Sequence, residues 1–172
     1  MVCSDDFSKD ADGPPDPAKW KYKVGFIRNN EAQYYTKARL ENACIEHGKL
    51  MIEARKEQFP NLLPKGPRGS NYTSASLTTK RLKSSKYVRI EVKAMIPKGQ
   101  GVWPAIWTLG MNRDVVHWPR CGEIDILEMW GLEPDVIRGN FHYSLLGKHL
   151  SEVLAKHTLL SSAQTALFMR MA

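Results

Sequence analysis

The chain predicts an all-β sandwich, and three observations carry that expectation. Short segments with apolar residues on alternate positions recur along it, Pro- and Gly-rich stretches separate them, and no sustained helical spacing intervenes before residue 150. The segment YVRIEVKAMI, Tyr87 to Ile96, is the clearest case. Val88, Ile90, Val92, Ala94 and Ile96 face one way, and Tyr87, Arg89, Glu91, Lys93 and Met95 the other. Many short strands with turn punctuation fit a two-sheet architecture better than any other.

The elements follow in order. Asp10 to Pro17 is rich in Pro, Asp and Gly and reads as loop. Tyr34 to Lys37 and Arg39 to Cys44 read as short strands. Lys49 to Arg55 alternates, with Leu50, Ile52 and Ala54 on one side, and the turn residues before it make Cys44 to Arg55 a hairpin. Gln58 to Asn71 contains Pro60, Pro64, Gly66, Pro67 and Gly69 and predicts a long loop; Tyr72 to Thr79 returns to strand. After the turn Pro97 to Gln100 come an apolar run, Val102 to Leu109, and two more strands, Gly122 to Met129 and Ile137 to Tyr143. Leu150 to Ala172 has neither Gly nor Pro and no alternation, so it predicts a helical or disordered tail. The expected division is a domain over 1–149 and an atypical tail over 150–172.

Composition narrows the function classes. The 172 residues are 42% hydrophobic and 25% charged, enough for one domain with a core. No apolar run has the length of a membrane span, and the N-terminal residues lack the basic start and apolar stretch of a secretory signal. The formal net charge is +7, but the basic residues are scattered and no nucleic-acid motif is present, so neither nucleic acid nor membrane is expected as a partner. Cys3, Cys44 and Cys121 are far apart and odd in number, which argues against a disulfide framework or a metal site; they are expected as buried or partly buried thiols, with a Cys3–Cys44 bridge as the alternative in an oxidising compartment.

The chemistry concentrates in CGEIDILEMWG. On a strand Glu123 and Asp125 share a face, and the next position on that face is Leu127. One inserted residue, a β-bulge, would bring Glu128 back beside the other two. Three carboxylates would then converge, and a pair held roughly 5–5.5 Å apart is what a retaining glycosidase uses. The working acids need different charge states at one pH, and a third carboxylate beside them separates their pKa values. Trp103, Trp107 and Trp118 flank the run, and indole faces suit the C–H faces of sugar rings. Trp20 and Trp130 read as core or rim packing.

The acid run, EIDILE, resembles the bulged signature of glycoside hydrolase family 16. GQGVWPAIWTLG and HWPRCGEIDILE resemble its flanks, and VCSDDF, NNEAQYYT, YTSASLTTK, YVRIEVKAMIPKGQG and GNFHY occur in the family's order. The likeness covers about Val2 to Tyr143, and the bulged form resembles the laminarinase-like, endo-β-1,3-glucanase branch. It implies a jelly-roll β-sandwich of the concanavalin A-like type with a sugar cleft on its concave face. By resemblance, Glu123 would be the nucleophile, Glu128 the general acid and then base, and Asp125 the carboxyl between them that tunes both. Trp103 and Trp107 would floor the sugar site, His142 would support the acid side, and Asn30, Glu31 and Trp118 would line the cleft. The substrate would be a β-glucan polysaccharide with β-1,3 or mixed β-1,3/1,4 linkages. A galactan, transglycosylation, and glucan recognition without turnover are the alternatives. No cofactor is required by this chemistry; a structural calcium is a family habit in which Asp6 or Gly48 would take part. The protein is expected to act outside the cell as a monomer.

Two departures stand out. Ser76 occupies a position where many relatives carry arginine. The strands that complete the family's two sheets are not recognisable after Tyr143, so the sandwich is expected to be incomplete, with open sheet edges that destabilise it.

Overall fold

The computed structural model describes residues 3–8, 10–158 and 165–170. It divides into two compact units, Met1–Ser84 and Ser85–Ala172.

The first unit holds seven strands. They are β1 (Lys21–Lys23), β2 (Tyr34–Tyr35), β3 (Ala43–Glu46), β4 (Lys49–Ile52), β5 (Arg55–Pro60), β6 (Gly69–Ser74) and β7 (Ser76–Thr78). β3 and β4 form the expected hairpin. His47 and Gly48 make its two-residue turn at φ 50° and 68°, the left-handed pair that matches the twist of the strands. β6 pairs antiparallel with β5 and parallel with β2, and β1 pairs with β7. Tyr34, Ala43 and Ile45 are each only 1% exposed and form the core. Beside them Asn42 accepts from Thr36 Oγ1 (2.9 Å) and donates to Thr73 Oγ1 (3.0 Å) and to the Glu53 carbonyl (3.1 Å), so this buried amide is satisfied.

Two expectations in this unit are corrected. Arg39 to Asn42 is a turn rather than strand: the N–H groups of Asn42 and Ala43 both donate to the Arg39 carbonyl. The expected loop from Gln58 to Asn71 begins and ends as strand, because β5 and β6 pair across it and only its middle is irregular. Pro60 closes β5, where its missing N–H leaves no interior gap in the ladder. The three cysteines are free thiols, Cys44 and Cys121 half-buried as expected and Cys3 exposed.

The second unit is built on a four-stranded antiparallel sheet. Its strands are β8 (Arg89–Ala94), β9 (Ala105–Leu109), β10 (Glu123–Met129), β11 (Val136–Leu145), β12 (Lys148–Thr158) and β13 (Thr165–Arg170). The sheet order is β12-β11-β10-β9, and β13 pairs with β8. Between β9 and β10 lies one short helix, α1 (Arg113–Val116), in a segment where the sequence predicted no element. Gly110 closes the base of this excursion: its N–H donates to the Gly122 carbonyl at 3.2 Å, and a Cβ there would stand 2.0 Å from the Cys121 carbonyl oxygen. Only glycine fits, and the closure returns the chain past Trp118 to the start of β10.

The expected helical or disordered tail is corrected where β12 and β13 run, up to Thr158 and over Thr165–Arg170; residues 159–164 and 171–172 of that expectation lie outside the described ones. The reason is the edge of β11. Leu146 and Gly147 adopt φ 50° and 79°, a two-residue hairpin turn that sends the chain back along β11 in register from Leu145↔Lys148 to Val136↔Thr158. Backbone pairing to an open edge overrides a weak side-chain periodicity.

β10 carries the expected bulge. Asp125 pairs with Asn140 and Glu128 with Arg138, so Ile126 and Leu127 together oppose the single residue Gly139. Both are buried, at 3% and 2% exposure, and Leu127 packs with Met129 and Ile137 against Ile96, Val102 and Ile106. Each such side chain contributes about 1.5–3 kcal/mol on burial.

Candidate active site

The bulge decides the site. Burying two successive apolar side chains leaves Glu128 on the face that carries Glu123 and Asp125. Strand pairing then lays out the row across the sheet. Asp125 stands between Trp107 on β9 and Asn140 on β11, and Glu123 stands between Leu109 and His142. Directly paired residues share a face, so the residues beside the acids are set by register.

Each carboxylate has its own partners. Glu128 accepts from Trp103 Nε1 at 3.1 Å and from Asn140 Nδ2 at 2.7 Å, one donor for each oxygen. Asp125, with a side chain 3% exposed, meets His142 Nε2 at 3.1 Å and is also hydrogen-bonded to Asn140. Glu123 stands beside Asp125, which raises it, while the Trp118 indole favours its ionised form. Trp118 lies on the segment between α1 and β10, its ring 6.1 Å from that of His142 and 4.5 Å from that of His149.

Burial raises all three acids. Glu123 is pushed up to about 7, by desolvation first and then by the charge of Asp125, the hydrogen bond between the two carboxyls, and the charge of Glu128. Desolvation also raises Asp125, opposed by the His142 ring and by the bonds from Glu123 and Asn140. Glu128 is raised by burial and by Asp125, while the donors Asn140 and Trp103 pull it back. Burial and mutual charge thus hold all three acids above the ordinary carboxylate range, Glu123 furthest among the values given.

Asn30 and Glu31 belong to the first unit. Asn30 sits in a turn at φ 51°, and Glu31 Oε2 accepts from Gln33 Nε2 (2.9 Å) and Tyr35 Oη (2.7 Å). Arg28 donates to Ser76 Oγ at 2.8 Å, so the serine that departs from the family pattern holds a guanidinium beside it. Trp20 donates to Asp5 at 2.8 Å, and Trp130, 46% exposed, carries the Arg138 guanidinium 3.9 Å from its ring centre.

The sequence reading passed over two residues here. Asn140 lies two positions before His142 in GNFHY and so on the same face, a period-two signal that was there to be used. His149 could be placed only by the β11–β12 register, which composition does not report.

Metal chemistry was tested on the donors. Glu123, Asp125 and His142 offer ligand atoms within 4.8 Å of one another, but these groups already bond each other. In the first unit Asp6 Oδ1 accepts from the Ser8 N–H (3.1 Å) and hydroxyl (2.9 Å), and a Cβ on Gly48 would stand 3.9 Å from the Phe7 carbonyl oxygen. Calcium takes roughly six to eight oxygens, and Asp6 with the backbone around Gly48 is where this chain would offer them.

Against known proteins, residues 17–140 match the family model described as the XgeA-like, catalytic GH16 domain. The chain belongs to glycoside hydrolase family 16. This family 16 chain is 46% identical over 146 residues to a β-glucanase of Rhodothermus marinus, covering 83% of its own length and 48% of that protein. Among solved structures it resembles the laminarinase of Rhodothermus marinus (TM-score 0.83, 38% identity, 100% of this chain and 67% of that one). It also resembles a variant of LamA from Z. galactanivorans in complex with laminaritriose and laminaritetraose (TM-score 0.88, 34% identity, 99% and 73%). The fold class is thus the jelly-roll β-sandwich of the family 16 laminarinases. The chain spans about half the length of the β-glucanase it matches.

Proposed function

We propose that the chain is a retaining endo-glycosidase that cuts internal β-1,3 or mixed β-1,3/1,4 linkages of a β-glucan. The observation that carries this reading is the bulge in β10, which gathers Glu123, Asp125 and Glu128 on one face and leaves each with different partners. The glucanase and laminarinase relatives support the substrate class.

The chemistry follows from the partners. Ionised Glu123 attacks the anomeric carbon; the bond to the leaving sugar breaks as Glu128 gives its proton to the departing oxygen. Water then attacks the same carbon, Glu128 takes the water's proton, and the ester bond to Glu123 breaks. For the first step Glu123 must be ionised, so a proton held by this pair of acids must lie on Asp125, beside the nucleophile. Trp103 and Asn140 hold the two oxygens of Glu128 while its charge changes. The exposed Trp103 and Trp118 rings, with Trp107 beside Asp125, offer flat apolar surface to pyranose rings. No cofactor enters these steps. The reading extends to action outside the cell, where such a polymer is met, with the monomer as the acting form.

The test is release of reducing sugar from laminarin by the parent, Glu123→Gln and Glu128→Gln. The expected result is turnover by the parent and its loss in each variant by at least ~10³-fold. Binding of laminarin by the parent without any cleavage would overturn hydrolysis and leave glucan recognition.

A further inference from the structure

His149 closes a ring of contacts around the nucleophile. The Trp118 indole favours the ionised form of Glu123, and the Trp118 ring meets His149 edge-on at 4.5 Å. His149 Nε2 lies 3.3 Å from His142 Nδ1; His142 Nε2 lies 3.1 Å from Asp125 Oδ2; and Asp125 stands beside Glu123. The five side chains come from four segments, and His149 is the member that joins β12 to the other three. It pairs with Ser144 and faces the acids because His142, Ser144, His149 and Ser151 share one side of the β11–β12 ladder. On the opposite side Tyr143 Oη donates to Glu152 Oε1 at 2.6 Å, which fixes this hairpin independently of the histidines.

We propose that His149 is a positioning residue for the acid site. It sets which nitrogen of His142 carries a proton and so whether Asp125 meets an N–H or a bare ring nitrogen. This inference rests on the glycosidase reading of the site. The reasoning is donor arithmetic. Two ring nitrogens 3.3 Å apart need one proton between them. When His142 is neutral and presents Nε2–H to Asp125, its Nδ1 is bare and His149 must supply Nε2–H. When His142 carries both protons, His149 must present a bare Nε2. By presenting Nε2–H, His149 favours the neutral His142 whose own Nε2–H faces Asp125 over the other forms of the ring. The groups facing the pair are Asp125 and Glu123 from β10, Trp118 from the loop, and Ser144 and Ser151 from the hairpin. Without His149 the Nδ1 of His142 turns to water, and the Trp118 ring loses its edge contact.

The experiment compares the full-length parent with His149→Ala, His149→Gln and the hairpin control Lys148→Ala. Expected for His149→Ala is a kcat reduced about fivefold, the rate equivalent of one net hydrogen bond, with KM within about twofold and a displaced acid limb of the pH–rate profile. Glutamine, which keeps an N–H and an oxygen, should recover most of the rate; Lys148→Ala should match the parent. Ring-nitrogen NMR of the parent provides the arm that needs no variant to fold. Titration of His142 and His149 as a coupled pair supports the inference, and independent titration of the two overturns it. An unchanged kcat and acid limb in a folded His149→Ala also overturns it, while loss of turnover in Glu123→Gln and Glu128→Gln would leave the glycosidase reading standing.

Discussion

Asn140 donates its amide to Glu128 at 2.7 Å and stands opposite Asp125 in the sheet, so one side chain serves both the acid/base and the central carboxyl. In both places it favours the ionised acid and opposes burial. Asn140→Ala should therefore raise Glu128 and Asp125 further. The expected outcome is a basic limb of kcat/KM moved to higher pH and a kcat reduced roughly tenfold, as for a lost hydrogen bond to a charged group. A pH–rate series on laminarin reads both.

Glu123 ties stability to pH. Its carboxyl is raised to about 7 in the fold against roughly 4.3 in an unfolded chain. The folded state then holds a proton that the unfolded state releases between those values, so the stabilisation is complete below about 4.3 and is lost as pH rises through 7. Glu123→Gln removes that loss. In denaturant melts the variant should be more stable than the parent at pH 8 and converge with it at pH 4. Equal stability differences at both values would reject the shift.

Leu127 and Glu128 are adjacent and point to opposite faces as strand neighbours do, and the bulge before them is what puts Leu127 in the core and Glu128 on the side of Asp125. Leu127→Ala leaves a cavity against Met129 and Ile137 and should cost about 2–5 kcal/mol of unfolding free energy. It should also lower kcat, because the backbone anchor of Glu128 loosens. Equilibrium urea unfolding, with activity measured well below the midpoint, separates the two effects.

The acid run was legible because three constraints coincide in it: period-two alternation, a single residue out of step, and carboxylates that have no place in a core. The hairpin at His47–Gly48 was legible from turn chemistry. The strands β12 and β13 were not, because Leu150 to Ala172 lacks alternation and its pairing is set by edges supplied elsewhere. His149 stayed hidden for the same reason. Asn140 was missed by attending to the histidine in GNFHY rather than to the face they share. The tryptophans were legible as a group, but the place of Trp118 beside Glu123 depends on the closure of the β9–β10 segment at Gly110.

Metal removal separates two uses of the cluster Glu123, Asp125 and His142. If these groups work as acids bonded to one another, exhaustive treatment with a chelator leaves kcat unchanged. Loss of turnover restored by a divalent ion would instead make the cluster a metal site.

The distinct partners of the two outer acids predict distinct failures. Glu128 is needed in the first step to protonate the leaving oxygen, so a substrate whose leaving group departs as a stable anion makes less demand on it. Glu128→Ala should thus lose laminarin hydrolysis yet still form the glycosyl-enzyme from an activated aryl glucoside. With its base missing the second step stalls, and added azide, which needs no deprotonation, should release a β-glucosyl azide by displacing Glu123. Glu123→Ala cannot form the intermediate at all, and azide entering the space it vacates should yield the α-anomer in one displacement. In the parent, the first sugar released from laminarin should carry the β configuration in proton NMR, since two inversions restore it. An initial α product would show a single displacement, with water rather than Glu123 as the nucleophile.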